Sequence, residues 1–152
     1  MLSVITPRSA ALLVFAGALA TLTGAWLFEF LGYAPCELCL WQRWAYYAAL
    51  PLAVLARSWL GVLAILWLGS MAFGVYHAGV EWKWWLGPST CGNQPDFSGG
   101  LPDLGKPVIL CDTAAIRILG LSLAGWNALI SLGLAVVSMA GMRSQGSSSV
   151  SQ

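Results

Sequence analysis

Charge is what this sequence has least of. Only 9% of its 152 residues are Asp, Glu, Lys or Arg, where a soluble domain carries about 25%. Too little polar surface remains for life in water, so a soluble globular protein is excluded. The formal net charge is +1, which removes the electrostatic footprint of a nucleic-acid binder. There is one histidine, His77, and four cysteines. Beyond the close pair Cys36 and Cys39 a zinc site wants two more soft or imidazole ligands; only Cys91, Cys111 and His77 remain, with no second close pair, so no metal is expected. Nucleotide-binding motifs and internal repeats are also missing. What fills the chain is apolar: 59% hydrophobic residues and a mean hydropathy of +0.76.

The few charges punctuate long silent runs. Between Arg8 and Glu29 lie 20 uncharged residues, between Arg57 and Glu81 another 23, and between Arg117 and Arg143 another 25. Each reaches the roughly 20 residues that cross a hydrocarbon core. The run from Arg43 to Arg57 has only 13 residues and contains Pro51. At about 1.5 Å per residue it is short of the core thickness, so its helix is expected to start near Leu40. The fold class is therefore all-α: an integral membrane four-helix bundle with a short second helix. The spans are expected at about 9–28, 40–56, 58–80 and 116–140, as one membrane domain. A long outer loop covers 81–115, and a polar tail at 144–152 reads as disordered. The first run is longer than the apolar part of a signal peptide and leads into Trp26, Phe28, Glu29 and Phe30, so it is expected to stay.

Four spans put both termini and Arg57 on one side, with Arg8 and Arg143 and no acid. All six acids, Glu29, Glu37, Glu81, Asp96, Asp103 and Asp112, fall on the other, beside Arg43, Lys83, Lys106 and Arg117. The positive-inside rule makes the first side cytoplasmic. All four cysteines then face an exterior or periplasmic compartment, where disulfides persist. Small residues at four-residue spacing, Gly17, Thr21 and Ala25 in the first span and Ser70, Gly74 and Ala78 in the third, fit a close bundle.

Residues 33–47, YAPCELCLWQRWAYY, carry the chemistry. Pro35 suits a helix start, and from there Cys36, Cys39 and Arg43 share one helix face. The helix dipole and the guanidinium both favour a thiolate, and a thiolate beside a second sulfur can exchange disulfides. Tyr33, Trp41, Trp44, Tyr46 and Tyr47 suggest the membrane–water interface. Arg43 is an interface anchor or a group that steadies negative charge. His77, near the outer end of the third span, could donate a proton to a ligand or simply pack. Trp126, Asn127 and the Trp82, Trp84 and Trp85 cluster read as structural. Cys91 and Cys111 lie in the Gly- and Pro-rich outer loop. Four cysteines allow three pairings, and the sequence leaves that choice open.

PCELCLWQR, the YHAGVEW run from Tyr76 to Trp82, and CDTAAIRILGLSLAGWN from Cys111 to Asn127 together make the chain resemble the DsbB family over nearly its whole length. That family implies a bacterial inner-membrane enzyme that reoxidises a periplasmic dithiol oxidase, DsbA-like, with membrane quinone, ubiquinone or menaquinone. It implies that Cys36–Cys39 exchanges electrons with the quinone and that Cys91–Cys111 is the disulfide the partner attacks. Arg43 would then lie beside the quinone, with Cys39 facing it and His77 a further candidate. This chain has Gln42 where the best-known members carry an acid, and its Cys91–Cys111 loop is shorter. Two other classes fit less of the sequence. In a vitamin K epoxide reductase-like enzyme the redox pair belongs elsewhere in the helix order. A non-enzymatic membrane protein would carry its disulfides only as staples.

Overall fold

The computed structural model describes residues 5–55, 59–88, 91 and 110–149. Arg57, Asp96, Asp103 and Lys106, used above for orientation, lie outside them. Four helices account for most of the described chain: α1 (Pro7–Phe30), α2 (Glu37–Leu55), α3 (Leu60–Glu81) and α4 (Leu123–Ser149). A two-stranded antiparallel hairpin, β1 (Arg117–Ile118) with β2 (Leu121–Ser122), precedes α4. Three helices, α1, α3 and residues 123–145 of α4, are long and apolar enough to cross a membrane. α2 has 19 residues, roughly 28 Å at helical rise, but Glu37, Gln42 and Arg43 dilute its hydropathy.

Local chemistry sets the helix starts. Thr6 caps α1, its hydroxyl accepting from Ser9 N–H at 3.2 Å, with Pro7 in the first turn. α2 begins at Glu37, ahead of the Leu40 start suggested by the uncharged run, because Cys36 supplies a cap. α4 begins at Leu123 and not near 116. Leu119 (φ 52°) and Gly120 (φ 85°) both adopt the left-handed region, the requirement of a tight two-residue hairpin turn, and this turns 117–122 away from a helix. At its far end α4 runs on to Ser149, through residues that read as a disordered tail from 144.

The centre of the bundle is a cluster of Val14, Ala18, Tyr46, Leu60, Leu63 and Trp67 with their neighbours. Small residues let the helices approach. A Cβ on Gly74 would come within 2.9 Å of the Ala128 backbone nitrogen, so only glycine admits α4 there. Ser70, from the same stripe, meets Ser131 at 2.9 Å. Gly17 faces the flexible end of Leu134, a softer contact. Tyr46 departs from the interfacial aromatics it was grouped with. It is buried, stands edge-on to Trp67 at 5.0 Å, and donates to Asn127 Oδ1 at 2.5 Å. Trp41 and Trp44 stay exposed, as does a belt of Leu12, Val54 and Ile65 that suits lipid and not water.

Candidate functional site

The site begins as a helix cap. Cys36 is the residue before α2, and its Sγ accepts the Cys39 backbone N–H at 3.2 Å, the bond a Ser or Asp usually supplies at that position. Its carbonyl accepts Leu40 N–H at 3.1 Å. The sulfur therefore sits on the positive end of the helix dipole.

α3 closes over it from the side. His77 is 1% exposed, and its Nε2 lies 3.5 Å from Cys36 Sγ. On the other face of the ring, Nδ1 meets Gln42 Nε2 at 2.8 Å. With that amide donating to Nδ1, the ring carries its proton on Nε2 and donates it to the sulfur. The hydrogen bond from Cys39, and then that from His77, outweigh burial and bring the Cys36 thiol down to about 5. One turn further along α3, Glu81 Oε1 is 3.8 Å from His77 Nε2, and Glu81 Oε2 is buried without a hydrogen-bond partner.

Cys91 and Cys111 are joined as a disulfide with a Cα–Cα distance of 5.3 Å, while Cys36 and Cys39 are free thiols. The three pairings open to the sequence thus reduce to one. Cys36, Leu38 and Cys111 form a single buried cluster against which Cys39, Cys91, Phe73 and Tyr76 pack. All four sulfurs share it. Cys111 is fully buried and Cys91 half-buried. Next to the disulfide, Asp112 pairs with Lys83, which holds the Asp112 carboxyl below the usual carboxylate range. The Trp84–Trp85–Tyr76 stack leads from there into α3.

A cavity of about 660 Å³ opens on Cys36 and Cys39, within the size range of small-molecule sites. Its wall is largely apolar, with Phe28, Leu110 and Ile130 among the lining residues. Arg43, Tyr46 and Asn127 supply polar groups. Arg43 is not an unpaired cation: its Nη1 donates to Glu29 Oε2 at 2.7 Å. Asn127 Nδ2 is buried with no acceptor. That nitrogen is closed off against Gly74, but an apolar cavity of this size beside two thiols, with a guanidinium on its wall, fits a ring bearing a carbonyl oxygen, as a quinone does.

The expected site residues are thus brought together unevenly. Cys36, Cys39 and Arg43 line the cavity; Cys91 and Cys111 back onto Cys36; His77 stands behind the sulfur, off the cavity wall. Sequence reasoning passed over Gln42, Glu29 and Glu81 as partners and read Asn127 as structural. Only the charge of Glu81, four residues beyond His77, offered a signal.

The family model described as Disulfide bond formation protein DsbB matches residues 7–141. No curated protein and no solved structure matches the chain.

Proposed function

The chain belongs to the DsbB family and is a membrane oxidoreductase of disulfide bond formation; from that premise we propose that it carries electrons from a periplasmic dithiol oxidase, DsbA-like, to membrane quinone. The observation that carries the proposal is the packing of all four sulfurs into one cluster with a ligand-sized cavity on its other side.

Electrons enter at the half-buried sulfur. A partner thiolate attacks Cys91 and Cys111 leaves as the thiolate, since Cys91 is the more reachable of the two. The partner's second thiolate then resolves the mixed disulfide and departs oxidised, leaving Cys91 and Cys111 reduced. Cys111 packs against Cys36, so it attacks a Cys36–Cys39 disulfide there; Cys91 resolves it, and the outer disulfide closes again. Two electrons and two protons have then moved to the inner pair. The Cys91–Cys111 disulfide beside free Cys36 and Cys39 is in keeping with such a step.

Bound quinone, ubiquinone or menaquinone, supplies the two-electron acceptor. Arg43 and Cys39 would hold it, with Asn127 on the same cavity wall. The Glu29 carboxylate keeps Arg43 at the cavity and tempers its charge. His77 serves the sulfur: its Nε2–H steadies Cys36 as a thiolate, the form that can close on Cys39. The apolar wall keeps water from the pair. We further propose the four-span arrangement, with α2 as the second, more polar span, an outer loop from 81 to 115, cytoplasmic termini and periplasmic cysteines in a bacterial inner membrane. The charge asymmetry of the sequence supports it.

The test is anaerobic quinone reduction by the purified chain with a reduced thioredoxin-like dithiol protein. Turnover is expected, and Cys36→Ser, Cys39→Ser, Cys91→Ser and Cys111→Ser should each abolish it. Turnover retained in any one of the four breaks the relay.

A further inference from the structure

Sulfur exchange uses Cys36 and Cys39 and explains His77. It leaves Glu81 without employment. A buried carboxylate oxygen with no partner is costly; Glu81 Oε2 is one, at the end of α3, and Oε1 of the same carboxylate lies 3.8 Å from His77 Nε2. The ligand atoms of Cys36, Cys39 and His77 all fall within 4.8 Å of one another. His77 Nε2 is 3.5 Å from Cys36 Sγ and 3.8 Å from Glu81 Oε1. Ligands on a tetrahedral zinc stand about 3.3 to 3.8 Å apart, given bonds of about 2.0 to 2.3 Å. Two of the separations already match, the Cys39 sulfur is already within the cluster, and Glu81, near His77 but outside that cluster, is the ligand that must swing in.

We propose that, when Cys36 and Cys39 are both reduced, their thiolates, His77 Nε2 and a Glu81 carboxylate oxygen bind one Zn2+ ion. Two thiolates, an imidazole and a carboxylate suit zinc and reject Mg2+ or Ca2+, which want oxygen shells. The backbone is ready for it. His and Glu at i, i+4 share one face of α3, and the cysteines at i, i+3 share one face at the start of α2. Even the outer contact is in place. A histidine that ligates through Nε2 must carry its proton on Nδ1, and the Gln42 carboxamide, turned by half a rotation, accepts that proton. A glutamine can serve both tautomers of His77; a carboxylate could only accept.

The ion displaces the thiol protons and forms no sulfur–sulfur bond. A Cys36–Cys39 disulfide has no thiolate to offer, so metal binding and oxidation of this pair exclude each other. Zinc arrests the pair in its reduced form, a brake on any electron flow through it. The site itself does not depend on the proposed relay; only the brake does.

The experiment uses the full chain in detergent with Cys91→Ser and Cys111→Ser, so that only the inner thiols remain, reduced and desalted without air. Zn2+ alone is titrated in competition with a chromophoric chelator, and Co2+ serves as the spectroscopic stand-in. One Zn2+ per reduced chain is expected, with thiolate-to-cobalt charge-transfer absorption, and none after the pair is oxidised. Gln42→Leu should loosen the ion by about 10- to 100-fold, and the ligand variants His77→Gln and Glu81→Gln by more. Helix content and unfolding of each variant, read without metal, confirm that it is folded. Equal binding by the oxidised chain, no charge-transfer band, or unchanged affinity in folded Glu81→Gln overturns the site. A chain that binds Zn2+ in this way but never reduces quinone upholds the metal site and sinks only the relay.

Discussion

The centre of the bundle and its cysteine-bearing end are both buried, and both contain polar side chains, yet they are finished to different degrees. At the centre, Ser70, Ser131 and Tyr46 satisfy one another across three helices. At the cysteine end, Glu81 Oε2 is left without a partner on the wall of the cavity. Trp67 Nε1 and Asn127 Nδ2 are the other such side-chain atoms among the described residues; the first sits in the apolar core and the second is closed off against Gly74. Closed polar networks hold helices together; open ones next to a cavity await a ligand. On the proposed function, the contrast separates residues that maintain the fold from residues that act.

The most severe way to test that contrast is to remove a single sulfur atom. Cys39→Ser is expected to eliminate quinone reduction while leaving the unfolding midpoint in detergent near that of the parent. A Cys39→Ser chain that turns over at a measurable fraction of the parent rate would place the chemistry elsewhere.

Next in size is the ionisation of Cys36. Its folded pKa is lowered to about 5 from 9.0, so the thiolate form persists at all pH values above that point. Alkylation of Cys36 in the reduced chain, followed by peptide mass mapping, should stay fast down to near pH 5 and fall off below it. His77→Gln removes a donor to the sulfur and should move the inflection upward. An inflection near the ordinary thiol value would mean that His77 and the helix cap do nothing for this sulfur.

A steric change at the other end of the bundle should cost stability alone. A Cβ on Gly141 would fall 2.4 Å from Ala10 Cβ and 3.0 Å from Leu60 Cδ1, and Ala10 has no further atoms to swing aside. Gly141→Val is expected to destabilise by about 1–3 kcal/mol, read from the shift in unfolding midpoint. Activity per folded molecule should be unchanged. A loss of turnover without a loss of stability would erase the distinction between the two regions.

How much of this could be read from the chain depends on whether the cause was local. Charge-free runs located the three long spans because the cost of a charge in lipid is paid residue by residue. The spacing of Cys36, Cys39 and Arg43 gave a shared helix face, and Pro35 marked the helix start to within two residues; that the Cys36 sulfur itself is the cap was not legible. The meeting of His77 with Cys36 and Gln42 is different in kind. It depends on how α2 and α3 pack, and no periodicity records that. The hairpin at 117–122 was hidden because RILGLSLAGW reads as an apolar helix. Only the left-handed turn at Leu119 and Gly120 decides it, and leucine there gives no warning. Tyr46 was grouped with its aromatic neighbours by composition, when its hydroxyl had a partner 81 residues away.

The gentlest test concerns what keeps the outer disulfide against Cys36. Lys83 and Asp112 form an ion pair beside Cys111, but both are well exposed. Exposed pairs contribute little and are screened by salt. The Asp112 carboxyl is held below its ordinary 3.8, chiefly by the hydrogen bond from Lys83. A depressed acid stabilises the fold above its unfolded pKa and loses that contribution as pH falls through its folded pKa. The effect is therefore flat from pH 8 to 5 and disappears only below about 4. Asp112→Asn is expected to cost about 0.5 kcal/mol or less at neutral pH and low salt, and nothing measurable in high salt or at pH 3. If the unfolding midpoint instead drops as far as in Gly141→Val, the disulfide is being positioned by the ion pair. If it barely moves, the apolar cluster of Leu38, Phe73 and Tyr76 does that work, and the cysteine end is held by packing even where its polar groups are left open.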